Sequence, residues 1–273
     1  MLDQTYSEFE CIVVDDASKD ETREVINSFE DDRIIYFRHE ENKGASASRN
    51  TGIKHSKGKL IAFLDDDDEW FSTKLEKQVP FLQGLPERFG MVYCWMDYYD
   101  SNNELVREHH PTLQGYVFPY LLDIQRLGGC PTLLLRRSVV NEIGGFDETL
   151  PRGNDGDFIR RIALKYKVDL VPEVLVNVFI GHGKPRIGNN DKKGIENHIF
   201  SQLTKISKFE NELKFYPKET ANIFFDLARN YAQLGKWRDS INYYFKGIDT
   251  NPFSMKLYLR LLYHLRHSIK AIL

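Results

Sequence analysis

Nowhere in the 273 residues do about eighteen apolar residues follow one another, so the sequence offers no membrane-spanning helix. The start, Met1-Leu2-Asp3-Gln4-Thr5-Tyr6, lacks a basic segment followed by an apolar one, and no secretion signal is expected. Cysteine is scarce: the three, Cys11, Cys94 and Cys130, are odd in number, far apart and set in apolar runs. That pattern points to buried reduced thiols rather than disulfides or a zinc site, and with them to a cytoplasmic location. Positive charge is not in excess either; a net charge of -3 argues against nucleic acid as a partner. A hydrophobic content of 41% with 28% charged residues is that of an ordinary globular chain, long enough for one large domain or a domain with an appendage.

What is present is concentrated in Leu60-Ile61-Ala62-Phe63-Leu64 followed by Asp65-Asp66-Asp67-Asp68-Glu69-Trp70. Five apolar residues without alternation read as a strand buried on both faces, as in parallel sheets covered by helices. The aspartates then stand at the carboxyl end of the strand, where open α/β sheets bind ligands. Adjacent carboxylates repel, and a divalent cation with oxygen ligands answers that repulsion. A helix-loop-helix calcium loop is excluded, because Asp65 to Trp70 has neither its glycine nor its distal glutamate. An aspartyl nucleophile stays open, and a hard cation bridging carboxylates to a diphosphate is the better-supported reading.

Phe9 to Val14 is a second buried-strand candidate that also ends in carboxylates, Asp15-Asp16, before a helical pattern from Thr22 to Phe29. Arg33 to Arg38 reads as a strand, and Asn42 to Gly52 as a turn feeding a helix of small residues. Thr73 and Glu76 suggest a capping box for a helix through Leu82, with Met91 to Met96 as the next strand. This alternation of strand and helix predicts a parallel α/β sheet. Beyond residue 100 the pattern predicts a helix from Tyr116 to Gln125, a strand from Thr132 to Leu135, and a helix from Asn154, its cap, to about Lys167. Asp155 and Asp157 would point in different directions. Val168 to Ile180 alternates as a half-buried strand and leads into Gly181-His182-Gly183.

The stretches QTYSEFECIVVDDASKD, NKGASASRNTGI, LIAFLDDDDEWF and GGFDETLPRGNDGDFIRRIA, in that order, closely resemble the successive motifs of the family 2 glycosyltransferases. The resemblance covers roughly residues 1–185 and implies the GT-A fold, a mixed, mostly parallel sheet flanked by helices. It implies an inverting transfer of sugar from a nucleotide-diphosphate donor (UDP-, GDP- or dTDP-linked) to a carbohydrate or lipid-linked acceptor, assisted by Mg2+ or Mn2+. By that resemblance Asp15 and Asp16 hold the base and ribose, and Lys43 and Arg49 approach the phosphates. Asp65, Asp66 and Asp67 form the D-x-D, with Asp67 and His182 at the metal, and Asp155 is the general base. Two departures stand out. Asn154 replaces a glutamate before the base, and a further strand and helix are expected ahead of Leu2, without which Cys11 to Val14 has an unpaired neighbour.

The expected division is a GT-A domain over 1–188 and a helical region over 189–273. Leu227 to Trp237, followed by Ile241, Tyr244, Phe245, Ile248 and Asn251-Pro252, is similar to one tetratricopeptide helix pair, which needs a surface to dock on. Residues 255–273 are apolar and basic without an acidic residue, a pattern that suits either peripheral contact with an anionic membrane or a last packing helix. Two classes of function therefore stay open: the active transferase, and a catalytically inactive or truncated GT-A-like domain that acts as an interaction protein through its helices.

Overall fold

The computed structural model describes residues 1–124, 126–180 and 191–252. The elements run β1 (Cys11–Asp15), α1 (Thr22–Asn27), β2 (Ile34–Arg38), α2 (Ala45–His55), β3 (Leu60–Ala62), β4 (Asp68–Trp70) and α3 (Lys74–Gly84). They continue with β5 (Phe89–Tyr99), β6 (Leu105–His109), β7 (Leu134–Arg136), α4 (Arg137–Ile143), α5 (Asn154–Lys165) and β8 (Lys167–Phe179). Four helices follow: α6 (Lys192–Lys208), α7 (Glu210–Leu213), α8 (Pro217–Gln233) and α9 (Trp237–Thr250).

β1 and β2 form a parallel pair of their own, and the other strands form a six-stranded sheet in the order β3-β7-β5-β8-β4, with β6 beside β5. The sheet is mixed, as expected, but parallel pairing is its minority. Only β5–β8 is parallel within it, while β3–β7, β4–β8, β5–β6 and β5–β7 run antiparallel. β4, hidden in the acidic run, turns back along β8, and β7 returns between β3 and β5. Among the described residues β1 pairs with β2 alone.

β5 is the sheet's apolar spine. Val92, Cys94 and Met96 pack with Trp70, Leu75, Val79 and Val176 in one buried cluster. Two local expectations give way. The capping box at Thr73 does not form, because Gln4 Oε1 accepts from the Leu75 N–H at 2.9 Å and Glu76 accepts from the Thr5 hydroxyl at 2.6 Å. Over the described part of the predicted helix at 116–125 there is a single 3₁₀ turn, Phe118–Leu121.

The chain divides into two compact units: one of Met1–Phe118, Gln125–Thr149 and Asn154–Lys184, the other of Pro119–Ile124, Leu150–Gly153 and Pro185–Leu273. In the second, α8 and α9 form a hairpin in which the Phe225 ring fills the place of a side chain at Gly247; a Cβ there would lie 2.6 Å from the ring. Ala221, Ala228 and Tyr244 complete that core. α8 and α9 are thus a packed helix pair, while residues 255–273 lie outside the described residues. No helix among the described residues is long and apolar enough to cross a membrane.

Candidate active site

The first candidate residues close the β1 strand. Asp15 is buried, 3% exposed. It accepts from the Ser18 N–H at 2.7 Å and the Tyr36 hydroxyl at 2.5 Å, with Arg38 Nη1 at 3.2 Å. Burial opposes its charge, but these donors outweigh it and hold its carboxyl below the ordinary range. Asp16 accepts from the backbone N–H of Lys43 at 2.8 Å and of Gly44 at 2.7 Å, with His39 Nδ1 at 2.7 Å. Here too burial is overcome by hydrogen bonds, and the pKa is lowered. Asp16 therefore tethers the turn that opens α2, and the Lys43 side chain stands exposed on it. Between the two aspartates and Ser18 the backbone enters the left-handed region at Ala17, φ 63°. A non-glycine residue held there is costly and clusters at functional turns.

The second group lies where β3 ends. Asp65 follows the strand, and Asp66 and Asp67 are exposed in a turn closed by the Asp68 N–H to the Asp65 carbonyl at 3.2 Å. α2 brings Arg49 to this point. Asn50 anchors the helix by donating to the Phe146 carbonyl at 2.9 Å and accepting from its N–H at 2.7 Å. A Cβ at Gly145 would fall 2.2 Å from the Asn50 oxygen, so only glycine admits that approach. Arg49 then donates through Nη2 to Asp65 at 2.6 Å and through Nη1 to Asp155 at 3.2 Å. One guanidinium thus bridges residues 16 and 106 positions away. Burial opposes the Arg49 charge; the acidic groups Cys130, Asp155 and Asp65 outweigh it and raise its pKa further. Burial raises the Asp65 pKa despite Arg49.

Asp155 stands in the first turn of α5, where the helix dipole favours a carboxylate. Its second oxygen accepts from the Cys130 N–H at 3.3 Å, in the 3₁₀ turn Cys130–Thr132. The Cys130 thiol is buried, and burial together with Asp155 pushes its pKa well up. Asp157 points elsewhere, to Arg161 Nε at 2.8 Å. Asn154 donates to the Ser46 hydroxyl at 2.7 Å and so ties α5 to α2.

Arg49, Asp65 and Asp155 are brought together; Asp15 and Asp16 form a separate carboxylate pair at the end of β1. His182 lies outside the described residues. Among the described residues no three His, Cys, Asp or Glu side chains are grouped to hold a metal. Neither the Cys130 N–H at Asp155 nor the buried Lys74 was expected from the sequence; a signal for the second was present in the i, i+4 spacing of Lys74 and Gln78 beside Leu75, Val79 and Leu82 on one face of α3.

The profile of the family described as Glycosyl transferase family 2 matches residues 1–144. An uncharacterized glycosyltransferase of Methanocaldococcus jannaschii is 31% identical over 228 residues, covering 79% of this chain and 74% of that protein. A UDP-Glc:alpha-D-GlcNAc-diphosphoundecaprenol beta-1,3-glucosyltransferase of Escherichia coli is 33% identical over 142 residues, 52% of this chain and 55% of that one. The chain spans only about half the length of that relative and of a Rickettsia prowazekii glycosyltransferase, 55% and 50%. Among solved structures, S. aureus TarS residues 1–349 superpose with a TM-score of 0.58 at 18% identity, over 97% of this chain and 72% of that one. The mannosyltransferase PcManGT of Pyrobaculum calidifontis, in complex with GDP-Man and Mn2+, does so with 0.57 at 16% identity, over 98% and 74%.

Proposed function

Since the chain belongs to glycosyl transferase family 2 and has the GT-A fold, we propose that it is an inverting transferase whose general base is Asp155. The observation that carries this reading is the single guanidinium of Arg49 between Asp65, at the carboxyl end of β3, and Asp155, at the start of α5. An acidic group at the nucleotide end and a base at the acceptor end are held in one frame.

In this reading Asp155 takes the proton of an acceptor hydroxyl as its oxygen attacks the anomeric carbon. The new carbon–oxygen bond forms on the face opposite the bond to the diphosphate, which leaves with its electron pair as the nucleoside diphosphate. Configuration inverts. Arg49 keeps the carboxylates from repelling each other and offers donors on the side where phosphate charge grows. Asp15 and Asp16, held ionised by their hydrogen bonds, present acceptors for base and ribose, and Lys43 adds an exposed ammonium to that end. The exposed carboxylates of Asp66 and Asp67 are hard oxygen donors and fit Mg2+ or Mn2+, with Asp67 and His182 as the ligands we assign. Such a cation, when bound, supplies charge neutralisation for the leaving diphosphate.

The E. coli relative's name points to a lipid-linked acceptor carrying GlcNAc, and UDP and GDP-Man occur in complexes of similar folds. We assign this chain the same classes: a nucleotide-diphosphate sugar and a carbohydrate or lipid-linked acceptor, used at the cytoplasmic face of a membrane. The test is isothermal titration of UDP, GDP, CDP and dTDP with and without Mn2+. Metal-dependent binding of one nucleotide, lost in Asp67→Ala, is expected. With the donor so identified, Asp155→Asn should lower turnover by about 10²–10⁴, the share of a general base. Folded protein that binds none of the four would sink the reading.

A further inference from the structure

Lys74 is completely buried in the first turn of α3, in the middle of the apolar cluster. A buried ammonium is expensive unless something holds it. Its Nζ sits 4.0 Å above the Trp70 ring and donates to Gln78 Oε1 at 2.7 Å. Both partners reach on to the same short turn. Trp70 Nε1 donates to the Pro131 carbonyl at 2.8 Å, and Gln78 Nε2 to the Thr132 carbonyl at 3.0 Å. Cys94 Sγ lies 3.6 Å from that second carbonyl, beside the ammonium. Thr132 closes the turn from within, its hydroxyl donating to the Gly129 carbonyl at 2.9 Å. The far end of this turn is the Cys130 N–H that Asp155 accepts.

We propose that Lys74 is a positioning residue for Asp155: through Trp70 and Gln78 it fixes the Pro131 and Thr132 carbonyls, and thereby where the Cys130 N–H meets the carboxylate. This rests on the reading of Asp155 as the base. A leucine or methionine would fill the same volume without desolvating a charge, so the ammonium is there for what it holds. Its charge draws on the Gln78 oxygen and makes the Nε2–H a stronger donor to Thr132. The cation above the indole does the same for the N–H that reaches Pro131. Burial pushes the Lys74 pKa down to about 8, so the ammonium persists at neutral pH. Arg49 from α2, Asp65 after β3 and the Cys130 thiol are charged or ionisable groups facing Asp155. Lys74 itself is held by Trp70 and Gln78, and both of these reach the turn, so a change at Lys74 reaches Asp155 through the turn.

The scarcity of cysteine makes the test direct. The 273-residue chain labelled with 15N-cysteine gives three amide signals, from Cys11, Cys94 and Cys130, with Cys130→Ser assigning the last. An amide donating to a carboxylate is shifted downfield, and Asp155→Asn should move the Cys130 proton upfield because a neutral oxygen is the weaker acceptor. Lys74→Met is expected to move the Cys130 signal in the same direction and leave that of Cys11 in place. Trp70→Phe keeps a ring for Lys74 but deletes the N–H to Pro131, and it should do likewise. If folded Lys74→Met leaves Cys130 at its wild-type position, the proposal falls. Should that variant not fold, Trp70→Phe decides by the same criterion. The signal needs no substrate, so it fails independently of the nucleotide titration on which the proposed function rests.

Discussion

Arg49 is the residue on which the site's electrostatics turn. Its side chain is 14% exposed and is the counter-charge shared by Asp65 and Asp155. Removing one partner of a buried pair leaves the other uncompensated, which costs far more than the pair's net worth. Because the Asp65 and Asp155 side chains are 34% and 29% exposed, Arg49→Met should destabilise the protein by less than a fully buried pair would, about 1–2 kcal/mol, read as a lower melting temperature. Arg49→Lys keeps the charge but not the fork, since one ammonium cannot span both carboxylates as the planar guanidinium does, and should recover only part of that loss. A melting temperature unchanged in both variants would mean that the bridge contributes nothing. The carboxylates themselves were legible in the sequence, because apolar runs stopping in aspartates mark strand ends. The bridge was not. Arg49 lies in a helix of small residues, and nothing local relates it to a residue 106 positions on.

At the scale of elements, long apolar runs gave the most reliable signals. β1, β2, β5 and β8 lie within a few residues of their predicted spans, since each is held by neighbours along most of its length. β3 is shorter than its apolar run, and β4 went unseen, because Asp68–Trp70 is a strand only by virtue of its pairing with β8. The failed capping box has the same origin: Gln4 accepts from the Leu75 N–H, 71 residues away, and the Thr5 hydroxyl holds the Glu76 carboxylate that the box needed to reach back. Among the helices, α6 and α8 are joined through Asp226. It accepts from Gln202 Nε2 at 2.6 Å and Arg229 Nη2 at 2.6 Å, with His198 Nε2 2.5 Å away. Burial opposes ionisation of Asp226, but the His198 hydrogen bond and charge, with Gln202 and Arg229, lower its pKa to about 2. A carboxyl whose folded pKa is depressed contributes stability that is complete above its ordinary value near 4 and is lost as pH falls toward 2. With the side chain 22% exposed, the contribution is on the order of 2 kcal/mol. Asp226→Asn should lower stability by about that amount at pH 7 and flatten its decline between pH 4 and 2. Urea unfolding at several pH values measures both. Parallel declines in the two proteins would show that Asp226 is not the group concerned.

For the whole molecule the question is whether the helices are an appendage or part of what the transferase needs. The second compact unit is not confined to the carboxyl end; it includes Pro119–Ile124 and Leu150–Gly153. Within it Asn222 donates to the Asp123 carboxylate at 3.1 Å and the Ser201 hydroxyl donates to the Arg152 carbonyl at 2.6 Å. The second of these stretches runs directly into Asn154 and Asp155 at the start of α5. A chain ended after residue 188 keeps every candidate site residue, including His182, yet leaves Leu150–Gly153 without the helices that order it. An appendage would be lost without consequence. We expect instead that the shortened chain melts lower than the full one and that its turnover falls while its nucleotide affinity is retained. Asp15, Asp16 and Asp65 belong to the first unit and keep their partners, whereas the segment that leads into the base does not. Melting curves and nucleotide titration on the two chains, with turnover measured on the donor so identified, separate these cases. Equal melting and equal turnover would mark 189–273 as a detachable module. Loss of nucleotide binding would mean that the first unit does not hold its shape alone.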